Sequence, residues 1–154
     1  MVKCLKLPMG WASRRVYAGP YMDKPDDMLG VKLAEEIDRA YCWNLPIADF
    51  SIPLNKTLTD DIVVEVLTML AENQEPVYVG CKGGFGRTGV FLSLLFKTMG
   101  VPHPIQHVRG NYTQRAVENK LQYEYVQTYV VPLTPWDLLL LKGRAVLHGL
   151  SPSS

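Results

Sequence analysis

The sequence predicts an α/β fold in which helices flank a central, mostly parallel sheet. Short segments rich in β-branched residues alternate along the chain with longer segments whose apolar residues follow helical spacing. Strands separated by helices are typical of parallel pairing. The chain has 154 residues, of which 47% are hydrophobic, enough for one domain with its own core.

Three short segments fit strands, and the first half of the chain also contains a predicted helix. The predicted strands are "RRVYAG" (14–19), "AYCWNLPI" (40–47) and "PVYVG" (76–80). We predict a helix over "KPDDMLGVKLAEEIDRA" (24–40), because Pro25, Asp26 and Asp27 suit a first helical turn. The chain leaves the second strand through a loop at "ADFSIP".

Four further segments have helical patterns. The predicted helices cover residues 57–74, 87–100, 104–112 and 116–130. For the first of these, Thr57 or Thr59 is the expected N-cap, with acids in the first turn and an apolar stripe that includes Val63 and Val66. Gly100 suits the position just after the end of the second.

The C-terminal segment "TPWDLLLLKGRAVLHG" begins with a strong helix start signal. Thr134 is placed for an N-cap, Pro135 for the first helical position and Asp137 for the third. We therefore divide the chain into a main domain over residues 1–133 and a helical tail over residues 134–154. The preferred interpretation packs the tail on the domain, and the alternative is that it binds a partner.

Charge and cysteine usage exclude several functional classes. Sixteen basic and fifteen acidic residues give a net charge of +1, which offers no electrostatic case for nucleic-acid binding. Cys4, Cys42 and Cys81 have neither metal-ligand nor disulfide-framework spacing, so we predict no metal site and free thiols typical of the cytoplasm. We expect no secretory leader and no membrane span, because the apolar runs are short.

The segment "CKGGFGRTG" (81–89) joins a predicted strand to a predicted helix and is rich in glycine. Glycine tolerates positive φ, which allows successive backbone N–H groups to turn toward one point and form an anion nest. The N-terminus of the following helix adds a positive dipole end at the same place. The loop therefore predicts a binding site for an anion, most naturally phosphate.

Three interpretations of this loop compete. Gly84, Gly86 and Gly89 match the glycine spacing of a dinucleotide fingerprint, but no acid follows about 20 residues on. A nucleotide P-loop fails twice, because Cys81 stands where glycine belongs and Arg87 where lysine belongs. In the third interpretation Cys81 is a nucleophile. The nest, the helix N-terminus and Arg87 favour its thiolate, and the neighbouring threonine donates a hydrogen bond to the sulfur.

The loop and two flanking segments resemble cysteine-based protein phosphatases. "CKGGFGRTG" is similar to their C-x5-R-T-G signature, most closely in the compact dual-specificity-like branch with its small bacterial and phage members. "IADFSIP" resembles the movable loop that carries the family's general acid, and "VRGNYTQRAVENKLQYEYV" resembles the closing segment of the domain. The resemblance covers roughly residues 15–130. It implies a protein-tyrosine-phosphatase-like fold, no cofactor or metal, and a phosphocysteine intermediate.

The resemblance also implies a role for each matching residue. Cys81 is the expected nucleophile, Asp49 the general acid, and Thr88 the donor to the leaving thiolate. Gln122 is expected to orient the hydrolytic water. The expected phosphate-binding residues are Lys82, Gly83, Gly84, Phe85, Gly86 and Arg87. We further expect Ile47 and Phe50 to shield Asp49 from solvent.

Two departures from the family pattern keep other functions open. Gly80 stands where the family usually has histidine before the nucleophile, and this favours the alternative of a phosphoprotein-binding module without turnover. Lys82 directly follows the expected nucleophile, and a lysine at this position resembles the family members that act on phosphoinositides. A phosphoinositide or an RNA 5′-phosphate is therefore an alternative substrate. The leading hypothesis is a phosphatase of phosphotyrosine proteins, with phosphoserine and phosphothreonine as further substrates. A sulfur-transferring loop is a more distant possibility, and a protective disulfide from Cys4 or Cys42 to Cys81 is a separate hypothesis.

Overall fold

The computed structural model describes residues 1–149, so the last part of the predicted tail, residues 150–154, lies outside the described residues. Within residues 1–149, five strands form one sheet and five α-helices surround it. The strands are β1 (Lys3–Met9), β2 (Ala12–Pro20), β3 (Leu29–Ala34), β4 (Trp43–Ile47) and β5 (Val77–Cys81). The helices are α1 (Lys56–Glu72), α2 (Gly86–Thr98), α3 (Pro104–Asn111), α4 (Lys120–Thr128) and α5 (Pro135–Gly149).

The sheet is mostly parallel, which confirms the predicted fold class. Its strand order is β1-β2-β5-β3-β4, and only the β1–β2 pair is antiparallel. β5 lies at the centre, paired in parallel with β2 on one side and β3 on the other. The loop that follows a central parallel strand opens at the carboxyl edge of the sheet, where open α/β sheets bind ligands.

The strand β1 lies in a part of the chain for which the sequence pattern gave no assignment. Leu5, Leu7 and Met9 are buried, whereas the residues between them are exposed. This strict alternation is the pattern of a strand with one face on the core. Gly10, at φ +67°, makes the tight turn into β2.

The predicted helix over residues 24–40 is wrong, because its middle forms the inner strand β3. Gly30 to Ala34 are all buried, so both faces of this segment are covered, and β5 and β4 pair with its two edges. A continuous buried run has no alternation to mark it as a strand, and here sheet pairing overrides the local helix signal. Pro25 belongs to a turn closed by the Met28 N–H on its carbonyl.

The helix α1 confirms the prediction over residues 57–74, with a different cap. Asn55, rather than Thr57 or Thr59, is the N-cap, and its side chain accepts the Leu58 N–H at 3.0 Å. The first turn contains no acid. The predicted apolar stripe is buried, including Val63 and Val66 at 0% exposure.

The helix α2 confirms the prediction over residues 87–100 and directly follows the glycine-rich loop. It packs against β5, α3 and α4, and nearly all of its residues are buried. Gly100 at φ +83° ends it, with its N–H on Lys97 O and the Val101 N–H on Phe96 O. These two bonds form a Schellman motif, which satisfies the terminal carbonyls. α3 also forms as predicted, whereas α4 begins at Lys120, after the predicted start at 116.

The tail helix α5 starts as predicted and packs against α1 and β2. Thr134 Oγ1 accepts the Asp137 N–H at 3.1 Å, and Asp137 Oδ2 accepts the Thr134 N–H at 3.2 Å, which completes a capping box. The buried side chain of Arg14 links the tail to the sheet by donating to carbonyls at the ends of α1 and α5. The division of the chain at residue 133 stays a prediction. Among the described residues, no helix is both long and apolar enough to span a membrane.

Candidate active site

The glycine-rich loop lies between β5 and α2 and closes over the end of β2. A Cβ atom on Gly84 would lie 2.7 Å from the Gly19 carbonyl carbon and 2.8 Å from the Pro20 nitrogen. This close main-chain approach and the φ of +81° both require glycine at position 84. The Tyr112 hydroxyl donates to the Gly84 carbonyl and fixes the loop from the opposite side. Burial, with a smaller contribution from charge on Cys81, raises the pKa of Tyr112, which keeps its hydroxyl proton available for this bond.

The thiol of Cys81 is held by two hydrogen-bond donors. The Gly84 N–H donates to its Sγ at 3.2 Å, and Thr88 Oγ1 donates to Sγ at 3.1 Å. Thr88 is oriented for this because its oxygen accepts the Cys81 N–H at 3.0 Å. Two donors directed at one sulfur stabilise negative charge on it. The Thr88 contact has the geometry that the sequence analysis expected.

Arg87 is buried, at 3% exposure, and its guanidinium is oriented by acceptors from two loops. Its Nη1 lies 2.6 Å from Glu36 Oε1 and donates to the Ile47 carbonyl at 2.9 Å. Its Nη2 lies 3.4 Å from Asp49 Oδ1. Glu36 was missed by the sequence analysis, because its segment was predicted to be helical. Assigning β3 correctly would have placed Glu36 in the loop at the carboxyl edge of the sheet.

Asp49 reaches the same place as Cys81 and Arg87, but it is not shielded as predicted. Its side chain is 58% exposed. Ile47 faces the core at 1% exposure, whereas the Phe50 ring points outward at 61%, so neither residue covers the carboxylate. Asp49 Oδ1 accepts the N–H of Phe50 at 3.0 Å. The carboxylate is therefore open to substrate and solvent.

The start of α4 supplies the opposite wall. Gln122 is fully buried; its Nε2 donates to the Ser51 carbonyl at 3.0 Å, and its Oε1 accepts the Glu118 N–H at 2.8 Å. The Glu118 carboxylate accepts the Gly86 N–H of the loop at 3.0 Å, and Asn119 Nδ2 donates to the Phe50 carbonyl at 2.8 Å. Glu118 and Asn119 were not among the predicted site residues, although both lie in the segment that carried the resemblance.

These groups enclose one cavity of about 340 Å³. It is lined by Asp49, Phe50, Cys81, Lys82, Gly83, Phe85, Gly86, Arg87, Glu118 and Gln122. The structure thus brings the predicted nucleophile, acid, arginine and glutamine together, with most of the predicted phosphate loop. Gly84 lies beneath the loop instead, buried, with its N–H on the sulfur.

The rim of the cavity carries exposed cations. Lys82 is exposed at the start of the loop. The guanidinium of Arg115 lies 3.8 Å from the centroid of the Phe85 ring, a cation–π distance. Both cations favour anionic groups on a bound substrate.

The surrounding main chain explains why position 80 is glycine. A Cβ atom there would lie 2.6 Å from the Gly19 carbonyl oxygen and 2.8 Å from both the nitrogen and the Cα of Tyr21. All three obstructing atoms are main chain, so the strand position before the nucleophile has no room for a side chain. The loop order that histidine gives in the resembling family must come from other residues, and Tyr112 makes such a contact here.

The remaining cysteines lie outside this cavity. Cys4 and Cys42 are exposed and unpaired, whereas Cys81 is buried. The proposed protective disulfide stays a prediction.

One family model and two curated sequences match part of this chain. Residues 31–100 match a family model described as a polymorphic toxin system DSP-PTPase phosphatase. Two uncharacterized proteins of Methanocaldococcus jannaschii, MJECL20 and MJ0215, are 37% and 35% identical over 86 residues, or 56% of this chain. The match spans 57% and 53% of their lengths, so the chain covers just over half of the curated relatives it matches.

Two solved phosphatases share the fold. The active form of Tk-PTP superposes with a TM-score of 0.59 at 20% identity, covering 79% of this chain and 93% of that one. A kinase associated phosphatase with serine in place of its catalytic cysteine has a TM-score of 0.62 at 17% identity, covering 82% and 91%. The range of the family model, residues 31–100, includes β5, the following loop and α2, the unit that carries Cys81 and Arg87. Over residues 31–100 the chain is therefore similar to the DSP-PTPase phosphatases of that family model, and its fold is that of the two solved phosphatases.

Proposed function

We propose that this protein hydrolyses phosphomonoesters with Cys81 as the nucleophile. The observation that carries the proposal is the shared cavity: a sulfur atom with two donors directed at it and a buried, oriented guanidinium line the same space. A tetrahedral dianion placed over the sulfur would meet loop N–H groups and Arg87. Such preorganised donors act on the charge that spreads over the phosphoryl oxygens during transfer.

Arg87 is presented to the phosphoryl group by its neighbours. Glu36 and the Ile47 carbonyl hold Nη1 from behind. Within residues 1–149 the Nε of Arg87 has no protein acceptor, and its Nη2 has only the Asp49 carboxylate nearby, at 3.4 Å. The edge formed by these two nitrogens is proposed to hold two phosphoryl oxygens.

The reaction has two steps. In the first, the Cys81 sulfur forms a bond to phosphorus as the bond to the leaving oxygen breaks, and Asp49 gives that oxygen a proton. In the second, water attacks the phosphocysteine, Asp49 takes a proton from it, and the sulfur leaves as a thiolate that Thr88 stabilises. Proton transfer of this kind contributes about 10²–10⁴-fold. Gln122 is proposed to orient the water, since it lines the cavity and Ser51 uses only one of its two amide hydrogens.

The proposed substrates are phosphotyrosine proteins, with phosphoserine and phosphothreonine as further substrates. The Phe50 ring is 61% exposed and lines the cavity, so it offers an apolar surface to an aromatic phosphate ester. The cytoplasm is the proposed location, in keeping with three free thiols.

A second candidate is a polyanionic substrate, either a phosphoinositide or an RNA 5′-phosphate. Lys82 on the cavity wall and Arg115 over Phe85 favour it. Turnover of peptide, lipid and RNA phosphates by the same preparation separates these substrates. Lys82→Ala is expected to reduce turnover of the polyanionic substrates alone.

The test of the proposed chemistry is hydrolysis of an aryl phosphate in the presence of a chelator. We expect metal-independent turnover by the unmodified protein and none by Cys81→Ser, with both equally folded by circular dichroism. Activity that survives Cys81→Ser contradicts the mechanism. Tight phosphopeptide binding without hydrolysis by the unmodified protein supports a binding module instead.

A further inference from the structure

The loop that carries Asp49 contains a residue in an unfavourable backbone conformation. Phe50 has φ +60°, in the left-handed region that residues with a Cβ atom rarely adopt. Such a conformation is strained and persists only where the surroundings impose it. The Phe50 ring is 61% exposed, so core packing of the ring does not impose it.

Two amide side chains of the α4 N-terminal turn hold this loop instead. Asn119 Nδ2 donates to the Phe50 carbonyl at 2.8 Å, and Gln122 Nε2 donates to the Ser51 carbonyl at 3.0 Å. Both acceptors lie within two residues of Asp49. The carboxylate of Asp49 completes the arrangement by accepting the Phe50 N–H.

Asn119 is itself fixed, which makes it a rigid donor. It is the N-cap of α4, and its Oδ1 accepts the Gln122 N–H at 2.9 Å. With the oxygen committed to the helix, the amide nitrogen must point away from it, toward the loop. The same side chain therefore starts the helix and pins the residue after Asp49.

We propose that Asn119 is a positioning residue that holds the Asp49 carboxylate over the loop that carries Cys81. The proposal rests on the proposed function, because it assigns Asn119 an effect only through the general acid. Without the Asn119 donor, the loop relaxes from the left-handed conformation at Phe50. The carboxylate then no longer reaches the leaving oxygen, although the loop that carries Cys81 and Arg87 stays intact.

The test variant is Asn119→Asp, which is nearly isosteric. Aspartate is as good an N-cap as asparagine, so α4 keeps its start. The donor to the Phe50 carbonyl is replaced by an acceptor. Asn119→Ser is a second variant that keeps a capping oxygen, has no amide donor and adds no charge.

Asn55→Asp is the matched control. Asn55 is the N-cap of α1, and its side-chain oxygen accepts the Leu58 N–H of its own helix. The chemical change and the capping role are thus the same as at Asn119, while the contact with the Phe50 carbonyl is untouched. We expect the kinetics of this control to match those of the unmodified protein.

The readout is kcat/KM for two aryl phosphates with different leaving groups. 4-Nitrophenolate leaves without a proton, whereas phenolate needs one from the general acid. We expect kcat/KM on phenyl phosphate to fall about tenfold or more in Asn119→Asp and Asn119→Ser, which is part of what general acid catalysis supplies. On 4-nitrophenyl phosphate, kcat/KM of both variants should stay within about twofold of the unmodified value. Inhibition by vanadate should be unchanged in both variants.

A double variant tests whether the effect passes through Asp49. In an Asp49→Asn background, Asn119→Asp should cause no further loss on phenyl phosphate, because the acid it positions is gone. Equal losses on both substrates, no loss on either, or an additive loss in the double variant would overturn the positioning role. Lack of turnover by the unmodified protein would overturn the proposed function itself, so the two failures are distinguishable.

Discussion

Placing a side chain at Gly80 should damage both stability and activity, even though histidine is usual there in the resembling family. A Cβ atom at this position would lie 2.6 Å from the Gly19 carbonyl oxygen and 2.8 Å from two main-chain atoms of Tyr21. Gly19 is the register partner of Gly80 across the β2–β5 pair. The obstructing atoms are main chain, so relief requires β2 or the turn after it to move.

The expected loss follows from this geometry. Overpacking a well-packed interior lowers the free energy of unfolding by about 1–3 kcal/mol, and Gly80→Ala already introduces the full clash with the main chain. For a domain of this size each kcal/mol corresponds to a fall in Tm of about 2–4 °C. Gly80→His adds a ring to the same clash and should lose more.

Activity should fall as well, because the phosphate loop rests on the same segment. Gly84 approaches Gly19 and Pro20 at main-chain contact distance, so a shift of β2 moves the loop that holds the sulfur. We expect both Gly80 variants to lose kcat/KM on 4-nitrophenyl phosphate at a temperature where they remain folded.

The assay is urea unfolding of Gly80→Ala and Gly80→His beside a glycine control. Gly110 in α3 has open space around its missing Cβ, and alanine favours a helix over glycine by about 0.5–1 kcal/mol. Gly110→Ala should therefore be neutral or slightly stabilising, the opposite sign to Gly80→Ala. A Gly80→Ala protein as stable and active as the unmodified one would refute the packing argument.

Three further changes test the surroundings of the site. Glu36→Gln removes the nearer of the two carboxylates beside Arg87. Such charge-assisted bonds are worth about 1.5–3 kcal/mol, so kcat/KM on 4-nitrophenyl phosphate should fall about tenfold or more, and unchanged kinetics would contradict the pairing. Thr88→Val removes the donor to the leaving thiolate and should make the second step slower, seen as a burst of phenolate in stopped flow; a burst no larger than that of the unmodified protein argues against that role. Arg14→Met removes the buried link between the sheet and α5, so amide exchange in α5 should accelerate and the free energy of unfolding fall by about 1–3 kcal/mol; equal exchange in both proteins would show that the link does not hold the helix.

The parts of the site that were predictable from sequence are those built by adjacent residues. Cys81, Thr88 and Arg87 belong to one strand–loop–helix unit, and the glycines and spacing between them specify its local geometry. The apolar periodicity of α1 and the start signal of α5 are equally local. These signals depend on the backbone within a turn or two, which is why sequence patterns reveal them.

The parts that were missed depend on contacts across the fold. β3 is paired along both edges, with β5 and β4, and is buried on both faces, whereas the local signal of residues 24–40 indicated a helix and so hid Glu36. The exposure of Asp49 depends on the conformation of its loop, and the Phe50 carbonyl of that loop accepts a hydrogen bond from Asn119, far along the chain. No pattern within either segment contains this information.

Detection of the covalent intermediate is the most direct test of the central claim, that Cys81 is the nucleophile for phosphoryl transfer. The protein is mixed with an aryl phosphate, quenched in acid within milliseconds, digested, and the peptides are weighed by mass spectrometry. We predict one phosphoryl group on the peptide that contains Cys81, more of it in Thr88→Val and none in Cys81→Ser. Turnover without this adduct, or an adduct on another residue, would contradict the account.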